Sequence, residues 1–195
     1  DQLGRSVHGA GDVNGDGYDD LIIGAQRADP NGIEDAGTSY VVFGKASGFA
    51  ASFDLTTLHA ENGGDGSQGF LLVGAASQDI SGISVASAGD VNGDGYDDLI
   101  VGARSADPNG PYSGAAYLVF GKASGFGTEF SLGDLDGSNG FRLDGPVPNG
   151  QLGVVASVGD VNGDGFDDLT VTGAIHDPNG ASYVVFGAAF GTIVT

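Results

Sequence analysis

The chain contains no cysteine, so disulfides and thiol chemistry are both excluded. That absence usually points to a reducing compartment, but bound metal ions can staple a secreted fold in place of disulfides. Basic residues are almost as scarce. Arg5, Arg27, Lys45, Arg104, Lys122 and Arg142 stand against 26 acids, for a formal charge of −20. Without a basic surface to neutralise phosphates, the composition argues against nucleic acid as a partner and against an anionic membrane surface. No apolar run is long enough to span a bilayer and no signal peptide is visible, so membrane insertion is not expected. No segment of useful length carries a helical period with caps.

Familiar catalytic spellings are missing as well. There is no G-x-S-x-G elbow, H-E-x-x-H helix or phosphate-cradling glycine loop. The three histidines, His8, His59 and His176, fall at unrelated places in the sequence. The expectation is a protein without catalysis of its own.

What the chain does have is glycine, 38 of 195 residues, against an average near ~7%. These glycines recur beside β-branched residues, the composition of tight turns between short strands. "GDVNGDGYDDLIIGA" at 11–25 returns almost unchanged at 89–103 and 159–174. Its first acids, Asp12, Asp90 and Asp160, are 78 and 70 residues apart. "DPNG" follows each of them 17 residues on, at Asp29, Asp107 and Asp177, and a strand of the type "YVVFG" follows at Tyr40, Tyr117 and Tyr183. A period near 70 residues divides the chain into units 1–76, 77–146 and 147–195.

Each unit offers strand candidates in a fixed order. Small residues alternate with Val before the acids, as in "SVHGAG", and an apolar run such as "LIIGA" follows them. The "YVVFG" strand is third. A fourth, "GFLLVGA" or "GFRLDG", is legible in the first two units but not before the terminal "GTIVT". Runs like "LIIGA", apolar on both faces, suit strands buried between layers. Four strands repeated at a fixed period read as blades of an all-β propeller, three blades with the third incomplete. A sandwich of stacked hairpins is the competing all-β arrangement, but gives no reason for one loop to recur at one place.

The recurring loop carries the chemistry. Asp12, Asn14 and Asp16 place oxygen side chains at positions 1, 3 and 5, and Gly17 at position 6 allows a tight curl. The carbonyl of Tyr18 at position 7 and the carboxylate of Asp20 at position 9 can complete a cation site of the EF-hand loop type. The second copy offers Asp90, Asn92, Asp94, Tyr96 and Asp98, and the third Asp160, Asn162, Asp164, Phe166 and Asp168. Such a set approaches the roughly six to eight oxygens that Ca²⁺ takes and suits Mg²⁺ less well. Three Ca²⁺ ions are expected, each pinning the hairpin between the first and second strands of a blade. Asp19, Asp97 and Asp167, one residue out of phase, are expected to be solvated. An EF-hand or dockerin pair would need a helix after each loop, and "YDDLIIGA" is β-branched and broken by glycine.

These motifs resemble the FG-GAP repeats of integrin alpha-subunit β-propellers and related bacterial extracellular proteins. The Phe-Gly position before the first strand reads Leu3-Gly4, Ser81-Gly82 and Leu152-Gly153, and the Pro after Gly-Ala reads Gln26, Arg104 and Ile175. The resemblance implies an extracellular or cell-surface, bacterial, calcium-binding propeller module for adhesion or protein interaction, with a protein or glycan ligand. A propeller appendage of a larger secreted enzyme is the alternative. Three blades fall short of a closed propeller, so two chains meeting as a homo-dimer are expected to complete one.

Overall fold

Apolar β-branched runs of four to nine residues, separated by glycine turns, set the architecture. The computed structural model describes residues 1–123, 125–173 and 181–189. The third "DPNG", His176 and the terminal "GTIVT" lie outside the described residues. The strands are β1 (Leu3–Gly11), β2 (Asp20–Ala25), β3 (Thr38–Val42), β4 (Gly69–Val73), β5 (Ser84–Gly89), β6 (Asp98–Ala103), β7 (Ala115–Val119), β8 (Glu129–Ser131), β9 (Gly140–Asp144), β10 (Leu152–Gly159), β11 (Asp168–Gly173) and β12 (Ser182–Val185). No α-helix occurs among the described residues; the connections hold only short 3₁₀ turns. One of these is Pro30–Gly32 in the first "DPNG", where Asn31 takes φ 55°.

The strands form three sheets, ordered β1-β2-β3-β4-β8, β5-β6-β7-β9 and β10-β11-β12. All neighbours are antiparallel except β4 and β8. These are blades of the β-propeller type, each laid on the next through its first strand, β1 on β5 and β5 on β10.

The core lies between blades. Ala10, Val13, Ile22 and Val41 of the first blade pack with Val85, Leu99 and Val101 of the second. Ala88, Val91, Ile100 and Leu118 of the second pack with Val155, Leu169 and Val171 of the third. Burying a side chain of this size stabilises by roughly 1.5–3 kcal/mol, so each junction draws its stability from its whole cluster rather than from any single residue. β6, in the middle sheet with a blade on either side, is buried along its whole length.

Sheets can approach this closely only where side chains are missing. A Cβ on Gly24 would overlap the carbonyl oxygen of Gly82, and one on Gly102 that of Gly153. These are the "GA" glycines that end the second strand of the first two repeats.

Strand β8 was not expected from the sequence. The segment after the "YLVFG" strand of the second blade reaches back and adds a parallel strand to the edge of the first, pairing Leu71 with Glu129 and Val73 with Ser131. Phe126 anchors it, stacked on Phe70 with ring centroids 4.3 Å apart.

Candidate metal centres and the junctions between repeats

Each acidic loop begins at a bulge. The pairing of β1 with β2 shifts register between Gly9 and Gly11, with equivalent shifts at Ser87/Gly89 and Ser157/Gly159. Gly11, at φ 72°, turns the chain out of the strand and into a curl centred on Asp12. Asp12 accepts three backbone N–H bonds: Gly15 at 2.7 Å and Asp16 at 3.0 Å on Oδ1, and Gly17 at 2.8 Å on Oδ2. Asn14 Oδ1 accepts from the Asp16 N–H, and Asp16 Oδ1 from the Tyr18 N–H. Asp90 with Asn92 and Asp94, and Asp160 with Asn162 and Asp164, repeat the pattern bond for bond. Positions 1, 3 and 5 are therefore brought together in all three loops.

Position 9 is held differently. Asp20 is buried beneath the loop, and its carboxylate bridges two backbone donors, Val13 N–H at 3.0 Å and Gly44 N–H at 2.8 Å. Asp98 does the same with Val91 and Gly121, and Asp168 with Val161 and Gly187. Each carboxylate thus ties the acidic loop to the end of the third strand. Burial pushes Asp20 up to about 6 and Asp98 up to about 8; their backbone donors oppose the rise. The acids at positions 5 and 1, Asp16 and Asp12 or Asp94 and Asp90, add to it by like-charge repulsion. Asp160 moves down, held chiefly by the Gly165 N–H.

Among the described residues no three His, Cys, Asp or Glu side chains stand at metal-coordinating spacing. The donor set nevertheless fits a hard cation. A carboxylate has about four lone-pair sites; Asp12 uses three on N–H groups, while Asp16 and Asp20 use two each. Unused oxygen lone pairs therefore remain on every acid of the loop, and the acids repel one another.

Asp97 and Asp167 correct the sequence-based expectation. They are half-buried and partnered: Asp97 Oδ2 accepts the Asp12 N–H at 2.8 Å, and Asp167 Oδ2 accepts the Asp90 N–H at 3.0 Å. Each grips the loop of the preceding repeat. The position-7 aromatic joins them, with Tyr96 packed on Gly15 and Phe166 on Gly93. The backbone completes the grip, since Lys122 N–H donates to the Val13 carbonyl and Ala188 N–H to that of Val91, both at 3.0 Å. Asp19, against which no other loop packs among the described residues, is exposed as expected. An aromatic-Asp pair written three times at positions 7 and 8 was the signal available in the sequence.

His8 is exposed, and His59 packs edge-on to Tyr40; neither joins a loop carboxylate. No helix of the described residues is long and apolar enough to cross a membrane.

The FG-GAP repeat family matches residues 3–42 and 81–119, which span the first three strands of the first two blades. The chain carries FG-GAP repeats. It is 36% identical over 118 residues to integrin alpha-PS2 of Drosophila melanogaster, covering 58% of this chain and 7% of that protein. To integrin alpha-V of Gallus gallus it is 29% identical, over 97% of this chain and 16% of that protein. To phosphatidylinositol-glycan-specific phospholipase D of Bos taurus it is 31% identical, over 97% of this chain and 20% of that protein. The FG-GAP blades described here thus span a fifth or less of these relatives' length.

Proposed function

We propose that the chain is a calcium-stabilised, non-catalytic propeller module that works outside the cell in adhesion or protein interaction. The observation that carries the calcium reading is the identical curl of three loops, each converging Asp, Asn and Asp on one turn in a chain of formal charge −20. Like charges gathered this closely oppose folding unless a cation offsets them. Asp12, Asn14, Asp16 and Asp20, with the Tyr18 carbonyl, would hold one ion. Asp90, Asn92, Asp94, Tyr96 and Asp98 would hold the second, and Asp160, Asn162, Asp164, Phe166 and Asp168 the third. The cation would supply charge neutralisation and a fixed loop, and no chemistry. The similarity to integrin alpha chains supports an extracellular, interacting role. The expected ligand class, protein or glycan, rests on that similarity alone.

The test is a thermal melt of metal-free protein with and without added ions. Ca²⁺ should raise the melting temperature markedly and Mg²⁺ much less, because any ligand that binds only the folded state stabilises it. An unchanged melt in a demonstrably metal-free sample would overturn the calcium reading.

A second reading keeps the same module but makes it an appendage of a larger secreted enzyme. The match to the phospholipase D, which runs along 97% of this chain, favours it. A catalytic domain in the same reading frame decides between the two.

A further inference from the structure

Six bases stand against 26 acids in this chain, and four of the six have partners. Arg27 pairs with Asp35 and Arg142 with Asp144, while Lys45 lies over Phe49 and Lys122 over Phe126. No acid or hydrogen-bond partner meets the side chain of Arg5 or Arg104 among the described residues. These two arginines line one cavity of about 380 Å³. Its wall also holds Ile83 and Val154, which occupy in the second and third blades the position that Arg5 holds in the first. Equivalent positions of three successive blades meet only around the axis where the first strands gather, β1 on β5 and β5 on β10. The cavity therefore opens on that axis and not on an outer face of either end blade. The acidic loops leave the other ends of these strands, at Gly11, Gly89 and Gly159. The stretch from Arg5 to Gly11 spans about 20 Å at ~3.3 Å per residue, beyond the Debye length of about 8 Å at physiological salt.

The cavity is built on fixed backbone. Ser6 Oγ accepts the Val85 N–H at 3.0 Å and Ser84 Oγ the Val155 N–H at 3.2 Å, tying the first strands together blade to blade. The Arg104 backbone lies so close to β10 that a Cβ on Gly153 would overlap it. Asp79, whose carbonyl accepts the Ser105 N–H, has its charge coupled to Asp107 and Arg142 and not to Arg104. Nor are the two arginines products of repetition: the counterparts of Arg5 are Ile83 and Val154, and that of Arg104 in the first blade is Gln26.

We infer that this axial cavity binds the carboxylate of a single Asp or Glu side chain on a partner protein. Two guanidinium groups without acids of their own offer forked N–H donors, and arginine is the base whose geometry matches a carboxylate. Beside them, Ile83 and Val154 present aliphatic surface that apolar neighbours of the acid would bury. No aromatic ring lines the cavity to stack a sugar, which favours a peptide over an acidic glycan. One carboxylate suits the site better than an acidic run, because a chain of formal charge −20 repels each further charge. The inference rests on the interacting role proposed above, to which it gives a place and a ligand chemistry, and not on bound calcium.

The test is an NMR titration of the full chain, isotope-labelled and in buffer containing calcium. The probe is a short peptide with blocked ends and one central Glu between aliphatic residues. Backbone signals of Ile83, Arg104 and Val154 should shift saturably with this peptide and stay in place with its Gln counterpart. Arg5→Ile and Arg104→Gln install residues that other blades carry at those positions. Each should weaken peptide binding by about tenfold or more, the contribution of one charge-assisted hydrogen bond. Because neither arginine has a partner among the described residues, both variants should keep the wild-type melting temperature; a clear fall would make the arginines structural and overturn the inference. Equal shifts with the Gln peptide, or binding that survives both substitutions, overturn it too. So does a cavity that takes glucuronate but not the peptide. Saturable shifts confined to another surface overturn this site and leave the interacting role standing, and no shift at all overturns the inference outright.

Discussion

Asp97 and Asp12, residues from different repeats, exchange two hydrogen bonds. The Asp12 N–H donates to Asp97 Oδ2 at 2.8 Å, and the Asp97 N–H donates to the Asp12 carbonyl at 3.2 Å. Asp167 and Asp90 form the same pair one repeat on. The first residue of each of the first two acidic loops is therefore fixed by the next blade, so loop order and blade docking are one cooperative event.

Asp97→Ala leaves the Asp12 N–H without its charged acceptor and should destabilise the fold by about 2 kcal/mol, the usual value of a hydrogen bond to a charged group. Asp97→Asn keeps an acceptor and should recover part of the loss. Asp19→Ala, exposed and one repeat earlier, should change the stability of the monomeric chain by less than about 0.5 kcal/mol. Urea unfolding at a concentration where the chain is monomeric measures all three. Equal losses at Asp19 and Asp97 would contradict the junction.

Calorimetric counting of bound Ca²⁺ should give three sites in the wild type and two in Asp94→Ala, which removes the central oxygen of the middle loop. The Asp160 loop has no following blade to grip it among the described residues, whereas the Asp12 and Asp90 loops do. It should fill last, since its own binding must meet the ordering cost. Asp160→Ala should then remove the weakest site and leave the two tighter ones unchanged.

Gly102→Ala places a Cβ against the Gly153 carbonyl, backbone that cannot swing aside. Separating the second and third sheets should cost at least about 1–3 kcal/mol, as overpacking generally does. Gly17→Ala meets nothing within 4 Å but sits at φ 88°, so it should lose only about 1 kcal/mol to backbone strain. Thermal melts of the two variants should rank them in that order.

Buried Asp79 is raised to about 6, chiefly by desolvation, with the charge of Asp107 adding to the rise and Arg142 opposing it. Its folded-state pKa lies above the unfolded value, so the folded state holds the proton longer. Stability at this site is therefore fully present below pH ~4 and is lost as pH rises to about 6. Asp79→Asn should abolish that slope and stabilise the protein at pH 7 by up to about 3 kcal/mol. Asp20 and Asp98 titrate in the same sense. The difference between variant and wild-type stability curves from pH 4 to pH 7 isolates Asp79.

Much of the protein was legible in the sequence because its information is local and repeated. The Asp, Asn and Asp side chains at positions 1, 3 and 5 curl their own loop through bonds spanning two to five residues. The strands announce themselves through β-branched runs, and the blades through the period. Tertiary structure decided what depended on a neighbouring repeat. Asp19, Asp97 and Asp167 have the same local spelling, yet one is exposed and two are junction residues, because among the described residues an acidic loop of another repeat stands against only the latter two. Strand β8 forms at Glu129–Ser131 because the edge of β4 lies beside it; the corresponding stretch after the first "GKASGF" pairs with no strand among the described residues and is irregular. Asp20, Asp98 and Asp168 read as loop ligands, but burial under the loop also makes them ties to the third strand, with partners up to 24 residues away. Spacing in the sequence specifies which oxygens can share a turn, whereas burial and the adjacent blade specify which of them water can still reach.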